Sequence, residues 1–165
     1  MTTINRSKDR IRQTGEVFTP LALVDEILSK LPEEVWLPTK TFLEPSCGDG
    51  NFLVRIVAWK IWLGSTAKQA LETTYAVDFM EDNVEHARQR ILTAAFAAMV
   101  MQEAGNTTLL PHMTLKQEMA IGRGEWDDIA PTTHDKFSTD HWYIVEKNIV
   151  YHDALTYDYS FGEPT

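Results

Sequence analysis

The sequence predicts an α/β fold in which helices flank a small parallel sheet. Short runs at residues 41–43, 73–78 and 148–153 are rich in β-branched and apolar residues, as buried strands are. Between these runs, apolar residues recur at helical spacing, which is typical of strand–helix–strand units. The length of 165 residues suits one domain, and 44% hydrophobic residues suffice for a core.

Charge and composition narrow the class of protein. The net charge is −9, which counts against a free-standing DNA binder because non-specific affinity comes mainly from phosphate neutralisation. Basic residues crowd residues 1–13, a predicted flexible arm that either contacts phosphate or is simply solvated. No apolar run reaches the roughly 18 residues of a membrane span, and one cysteine excludes an internal disulfide framework. We therefore expect a soluble cytoplasmic protein.

Residues 44–50, the glycine turn, follow the first predicted strand and are the central feature of the chain. Gly48 and Gly50 allow positive φ and a close approach of the backbone to a ligand. A predicted helix over 51–63 follows, and its N-terminus favours an electron-rich ligand group. Glu44 adds a carboxylate that can hold a ligand ammonium. The alternative is an ordinary strand-to-helix turn.

Asp78 ends the second predicted strand. An acid at this position of a nucleotide-binding unit can accept hydrogen bonds from both ribose hydroxyls, and Phe79 can pack on an adenine face. Asp78 can also cap the helix predicted from about Glu81 to Gly105, and the two roles are compatible. Earlier in the chain, Thr19 is the predicted N-cap of a helix that has Pro20 in its first turn.

Four stretches carry a resemblance to a known family: Thr-Gly-Glu-Val-Phe-Thr-Pro at 14–20, Glu-Pro-Ser-Cys-Gly-Asp-Gly at 44–50, Val-Asp-Phe at 77–79 and Asp-Ala-Leu at 153–155. In this order they resemble motifs of S-adenosylmethionine-dependent DNA adenine-N6 methyltransferases, a group that includes the modification subunits of restriction systems. The resemblance implies a Rossmann-like methyltransferase core with a truncated parallel sheet. It also implies S-adenosylmethionine as the cofactor, bound by Thr14, Val17, Phe18, Thr19, Glu44, Pro45, Ser46, Cys47, Gly48, Gly50, Asp78, Phe79, Asp153 and Ala154.

The resemblance also implies what these residues do. The stretch 14–20 folds over the cofactor, and the glycine turn holds its methionine part. Asp78 holds the ribose. Asp153 accepts a hydrogen bond from the adenine amino group, while the N–H of Ala154 meets a ring nitrogen. The alternative for Asp153 is a surface residue that caps a turn.

The sequence departs from the family in its second half. The catalytic motif of the family, Asn/Asp/Ser-Pro-Pro followed by an aromatic residue, orients the target amine and stacks on the flipped base. It occurs nowhere here, although family spacing places it shortly after Asp153. The resemblance therefore covers residues 14–158, and no catalytic residue is predicted. Residues 106–141 are a predicted insertion before the third strand, within a domain spanning 14–165, and the histidines lack metal-ligand spacing.

These features predict a cofactor-binding, DNA adenine methyltransferase-like protein that needs a partner subunit for methyl transfer and for contact with DNA. A short phage-encoded form, present in the host cytoplasm, fits this description. The alternative is a non-catalytic decoy or regulatory subunit that binds a methyltransferase or sequesters S-adenosylmethionine. A three-stranded sheet would expose an edge and an apolar face, so a partner, a homodimer or the insertion is expected to cover them.

Overall fold

The computed structural model describes residues 11–12, 14–103 and 139–162. Most of the predicted arm 1–13 and of the predicted insertion 106–141 lies outside these residues. The helices and strands follow in this order: α1 (Leu21–Leu28), a 3₁₀ helix (Glu33–Trp36), β1 (Phe42–Glu44), α2 (Asn51–Trp62), α3 (Ala67–Glu72), β2 (Thr74–Asp78), α4 (Glu81–Glu103), α5 (Thr139–Asn148) and β3 (Ile149–Tyr151).

The three strands form one parallel sheet in the order β1-β2-β3. Phe42 lies opposite Thr74, and Ala76 lies opposite both Glu44 and Ile149. Because all strands run the same way, their carboxyl ends meet at one edge, which we call the carboxyl edge. The predicted α/β fold with a small parallel sheet and flanking helices is confirmed.

The core lies between α2, α4 and the sheet face that carries Phe42, Ala76 and Ile149. All residues of α2 from Leu53 to Trp62 are buried, because α1, α3, α4 and the sheet all contact this helix. Helix α1 packs against α2 through Val24 and Leu28. An ion pair between Asp25 and Arg55, 2.9 Å long, also ties α1 to α2. This packing places the start of α1 beside the glycine turn.

The opposite face of the sheet is covered in part by the segment that follows β3. Residues 157–161, the aromatic segment, fold back so that the rings of Phe161 and Tyr75 lie 4.9 Å apart. Tyr157 contacts both Tyr159 and Phe161, at ring distances of 5.2 Å. Leu43, which shares this face, stays 51% exposed. The sequence analysis expected cover from a partner, a homodimer or the insertion, and had not considered this segment.

Local predictions met different outcomes. Gln69 lies three residues after Thr66, a spacing that predicts a capping box, and this capping box is present at the start of α3. The prediction that Thr19 caps α1 is wrong: Pro20 is the N-cap residue, and no side chain caps this helix by a hydrogen bond. The carbonyl of Thr19 instead accepts a hydrogen bond from Asn51, so a tertiary contact decides its position. Residues 142–145, Trp-Tyr-Ile-Val, fit either a strand or the end of a helix by sequence, and the structure places them in α5.

Among the described residues, no helix has both the length and the apolar character needed to cross a membrane.

Gly50 and Gly64 offer a matched test of how closely α4 approaches the glycine turn. Both have positive φ, 91° and 107°, so alanine should cost each site about 1–2 kcal/mol of unfolding free energy. At Gly50 the added Cβ would also lie 3.1 Å from the Cβ of Ala87, whereas no described atom lies within 4 Å at Gly64. We expect Gly50→Ala to lower the unfolding free energy, measured by urea denaturation, more than Gly64→Ala. Equal losses would show that this contact is not tight.

Candidate functional site

The candidate site lies at the carboxyl edge, where the chain leaving β1 and β3 meets the end of β2. The N–H of Gly48 donates to Asp78 Oδ2 at 2.7 Å, and the N–H of Cys47 donates to the carbonyl of Val77 at 3.1 Å. From the other side, the N–H of His152 donates to the carbonyl of Asp78 at 3.0 Å. The segments that follow β1 and β3 are therefore both tied to the end of β2.

The stretch 14–20, which we call the N-terminal segment, packs directly on the glycine turn. A Cβ added to Gly48, where φ is 53°, would lie 3.0 Å from the ring of Phe18, so the ring would have to shift, and the positive φ also favours glycine here. Asn51, 32 positions further along the chain, donates from Nδ2 to the carbonyl of Thr19 at 2.9 Å. Val17 remains largely exposed, and the exposed Thr14 accepts the N–H of Glu16 through Oγ1 at 3.3 Å.

Arg90 of α4 holds the glycine turn in place by hydrogen bonds and an ion pair. Its Nη1 donates to the carbonyl of Asp49 at 2.7 Å and lies 2.9 Å from Asp49 Oδ2, while Nη2 donates to Asn51 Oδ1 at 2.8 Å. Arg90 and Asp49 are both buried. Burial lowers the pKa of Arg90, and the carboxylate of Asp49 opposes that shift. Through Asn51 the same support reaches the carbonyl of Thr19.

The role of α4 in this site was not predicted, because apolar residues at helical spacing along 84–101 predict a stripe that serves packing and not a cofactor site. Asn83, Ala87 and Arg90 stand at i, i+4 and i+7, so they share one helix face. That face meets the glycine turn, where Gly50 approaches Ala87. The sequence does contain a signal for this role. Asn83 and Arg90 are polar residues at positions of the apolar stripe, and a buried polar side chain needs a hydrogen-bond partner.

The carboxylate of Asp78 accepts hydrogen bonds from other groups of the protein. Its Oδ2 accepts from Gly48, and its Oδ1 accepts from the N–H of Met80 at 2.9 Å and from Asn83 Nδ2 at 3.2 Å. Three of the about four acceptor positions of the carboxylate are thus filled, and the residue is only 6% exposed. The bond to Met80 holds the turn before α4, but the prediction that Asp78 is the N-cap of this helix is wrong. Met80 takes that position, because its carbonyl accepts the N–H groups of Asn83 and Val84. Accepting both hydroxyls of a ribose would require at least one of these hydrogen bonds to break.

Glu44 and Cys47 differ in what they offer a ligand. Glu44 is half-buried, and burial raises its pKa; the N–H of Ser46, 3.4 Å from Oε1, lowers it, and the charge of Asp78 raises it further. Cys47 is buried, and burial together with the nearby carboxylates raises its pKa well above the ordinary value. Its thiol is therefore neutral and a poor nucleophile. Pro45 and Ser46 are exposed.

Beyond β3, Asp153 is exposed and shapes its own turn. Its Oδ1 accepts the N–H of Leu155 at 2.9 Å, which is the turn-capping geometry considered as the alternative to adenine binding. The carbonyl of the half-buried Ala154 accepts the hydroxyl of Tyr159 at 2.8 Å. Phe79, at the end of β2, is 66% exposed and offers an open ring face.

The structure thus brings some of the predicted site residues into contact and leaves others apart. Phe18, Thr19, Cys47, Gly48 and Asp78 are joined by the contacts given above. Phe79 and Asp153 follow the ends of neighbouring strands with exposed side chains. Within residues 11–12, 14–103 and 139–162, no group of three His, Cys, Asp or Glu side chains could hold a metal ion.

In comparisons with known proteins, no family model, no curated protein and no solved structure matches this chain.

Proposed function

We propose that this protein binds S-adenosylmethionine at the carboxyl edge, in a truncated Rossmann-like core of the DNA adenine-N6 methyltransferase type. The observation that carries the proposal is the packing of the N-terminal segment on the glycine turn. These two stretches resemble separate motifs of that family, and the resemblance implies that the first covers a cofactor held by the second. Their contact through Phe18 and Gly48 supports a shared role at one site.

The charges at the carboxyl edge suit the proposed ligand. S-adenosylmethionine carries a sulfonium and an ammonium group, and the edge presents the half-buried carboxylate of Glu44 near that of Asp78. Opposite charges attract more strongly where water is partly excluded. Glu44 would hold the ammonium, Asp78 would accept a ribose hydroxyl, and Phe79 with Asp153 would border the adenine.

The cofactor would supply a sulfonium methyl group for transfer to an amine. The 165 residues contain no Asn/Asp/Ser-Pro-Pro-aromatic motif to orient such an amine. We therefore propose that this motif and the contacts to DNA are supplied from outside these 165 residues, as by a partner subunit. The net charge of −9 agrees with contact to DNA through a partner.

A second candidate function is a non-catalytic decoy or regulatory subunit that binds a methyltransferase. The filled acceptor positions of Asp78 favour this alternative, as does the use of the Cys47, Gly48 and Gly50 amides within the protein. A site that satisfies its own polar groups gains less from a ligand. The two candidates differ in whether the protein alone binds S-adenosylmethionine.

Calorimetric titration with S-adenosylmethionine tests the proposal directly. We expect the wild type to bind and Glu44→Gln to bind about tenfold more weakly or worse, because glutamine keeps an acceptor for Ser46 but loses the charge that holds the ammonium. Glu72→Gln is the matched control: this exposed residue of α3 pairs only loosely with Lys68, at 3.7 Å, and its change should leave affinity unaltered. A wild type that releases no heat and fails to retain labelled cofactor in equilibrium dialysis would refute the proposal.

The raised pKa of Glu44 predicts how affinity depends on pH. Only the carboxylate attracts the ammonium, so affinity should fall as the pH is lowered, and the fall should begin above the range where an ordinary glutamate takes up its proton. Burial, the main cause of the shift, favours the protonated folded state, so Glu44 itself stabilises the fold at low pH and loses that contribution as pH rises through its pKa. The expected loss of binding is therefore not due to unfolding at Glu44.

The matched measurement is the same pH series on Glu44→Gln. That variant has no carboxyl group to titrate at this position, so its affinity should vary less over the same range. If affinity varied with pH in the same way in both proteins, Glu44 would not be a residue that binds the ligand.

A further inference from the structure

Asn83, in the first turn of α4, connects two carboxylates that belong to different parts of the chain. Its Nδ2 donates to Glu16 Oε1 at 2.6 Å and to Asp78 Oδ1 at 3.2 Å. A side-chain amide nitrogen carries two hydrogens, so it can serve both acceptors at once. Asn83 is only 1% exposed, and its position on the buried face of α4 keeps this amide between the two carboxylates.

The contact to Glu16 is one of the contacts by which the N-terminal segment meets the site. The ring of Phe18 rests on Gly48, and the carbonyl of Thr19 is held by Asn51. Of the two hydrogen bonds, only the one from Asn83 reaches a charged side chain, and bonds to charged groups are the stronger kind. Loss of the hydrogen bond from Asn83 to Glu16 should loosen the start of the N-terminal segment more than its end.

The three donors to Asp78 differ in how readily each can leave. Gly48 and Met80 donate backbone N–H groups at 2.7 and 2.9 Å, and both belong to turns that the chain holds in place. Asn83 donates from a side chain over 3.2 Å, the longest of the three bonds. A hydroxyl that approaches Asp78 would therefore replace Asn83 first.

We propose that Asn83 is a positioning residue that holds the N-terminal segment closed over the carboxyl edge, and that a ligand hydroxyl takes its place on Asp78. The second half rests on the proposed function; the first half concerns the free protein. A ligand hydroxyl can donate to Asp78 and accept the hydrogen that Asn83 releases, while the other hydrogen of the Asn83 amide stays on Glu16. The segment is then linked through Asn83 to the bound ligand, so it should open less often over an occupied site than over an empty one.

Hydrogen exchange of the backbone amides of residues 15–19 tests the first half without any ligand. We expect exchange about ten- to hundredfold faster in Asn83→Asp, which sets a third carboxylate between Glu16 and Asp78, and in Glu16→Ala, which removes the acceptor. Glu16→Gln is the matched control, because its side-chain oxygen still accepts from Asn83 and should preserve most of the protection. Amides of β2 serve as the internal reference for global opening.

Glu16→Ala changes a half-buried residue outside the helices and strands, so it tests the inference even where Asn83→Asp fails to fold. Unchanged exchange of residues 15–19 in Glu16→Ala, with β2 equally protected, overturns the holding role of Asn83. This result would count against Asn83 even if S-adenosylmethionine binds normally. Conversely, a wild type that does not bind the cofactor refutes the proposed function, while the free-protein exchange still decides the holding role.

The ligand arm repeats the exchange measurement with saturating S-adenosylmethionine. We expect added protection of residues 15–19 in the wild type and faster dissociation of the cofactor from Glu16→Ala in a stopped-flow chase. A wild type that binds the cofactor without any added protection of this segment overturns the proposal that a ligand hydroxyl replaces Asn83 on Asp78.

Discussion

The buried guanidinium of Arg90 is the contact on which the arrangement of the carboxyl edge depends. It binds the carbonyl and the carboxylate of Asp49 and the side chain of Asn51, so one charged group fixes three acceptors where the glycine turn passes into α2. A buried charge is tolerated only when it is paired and hydrogen-bonded, so each partner depends on the others. Asn51 then extends this support to Thr19 and the N-terminal segment.

This dependence makes α4, rather than the strands, the element that sets the spacing of the site. Arg90 supports the glycine turn, Ala87 allows Gly50 to approach, and Asn83 reaches Asp78 and Glu16. The strands bring their carboxyl ends to one edge, as any parallel sheet does. One helix face then determines how the loops at that edge sit relative to each other, and it does so with two polar residues on an otherwise apolar stripe.

Features that depend on local sequence were predictable, and features that depend on distant partners were not. The capping box of Thr66 and the α/β order follow from residues close together in the chain. Thr19 was assigned as a cap by its position before Pro20, but a residue 32 positions away decides its contact. The cover by the aromatic segment was missed because alternating aromatic residues at 157–161 do not reveal that Tyr75 is their partner. The cofactor roles of the site residues remain predictions.

The environment of Cys47 has a practical consequence. It is the single cysteine of the sequence, and its burial in the glycine turn, together with nearby carboxylates, raises its pKa and keeps its sulfur protonated. Thiol-directed reagents attack the ionised sulfur, so they should modify this protein slowly while the turn is intact. The rate of such labelling thus reports how often the glycine turn opens to solvent.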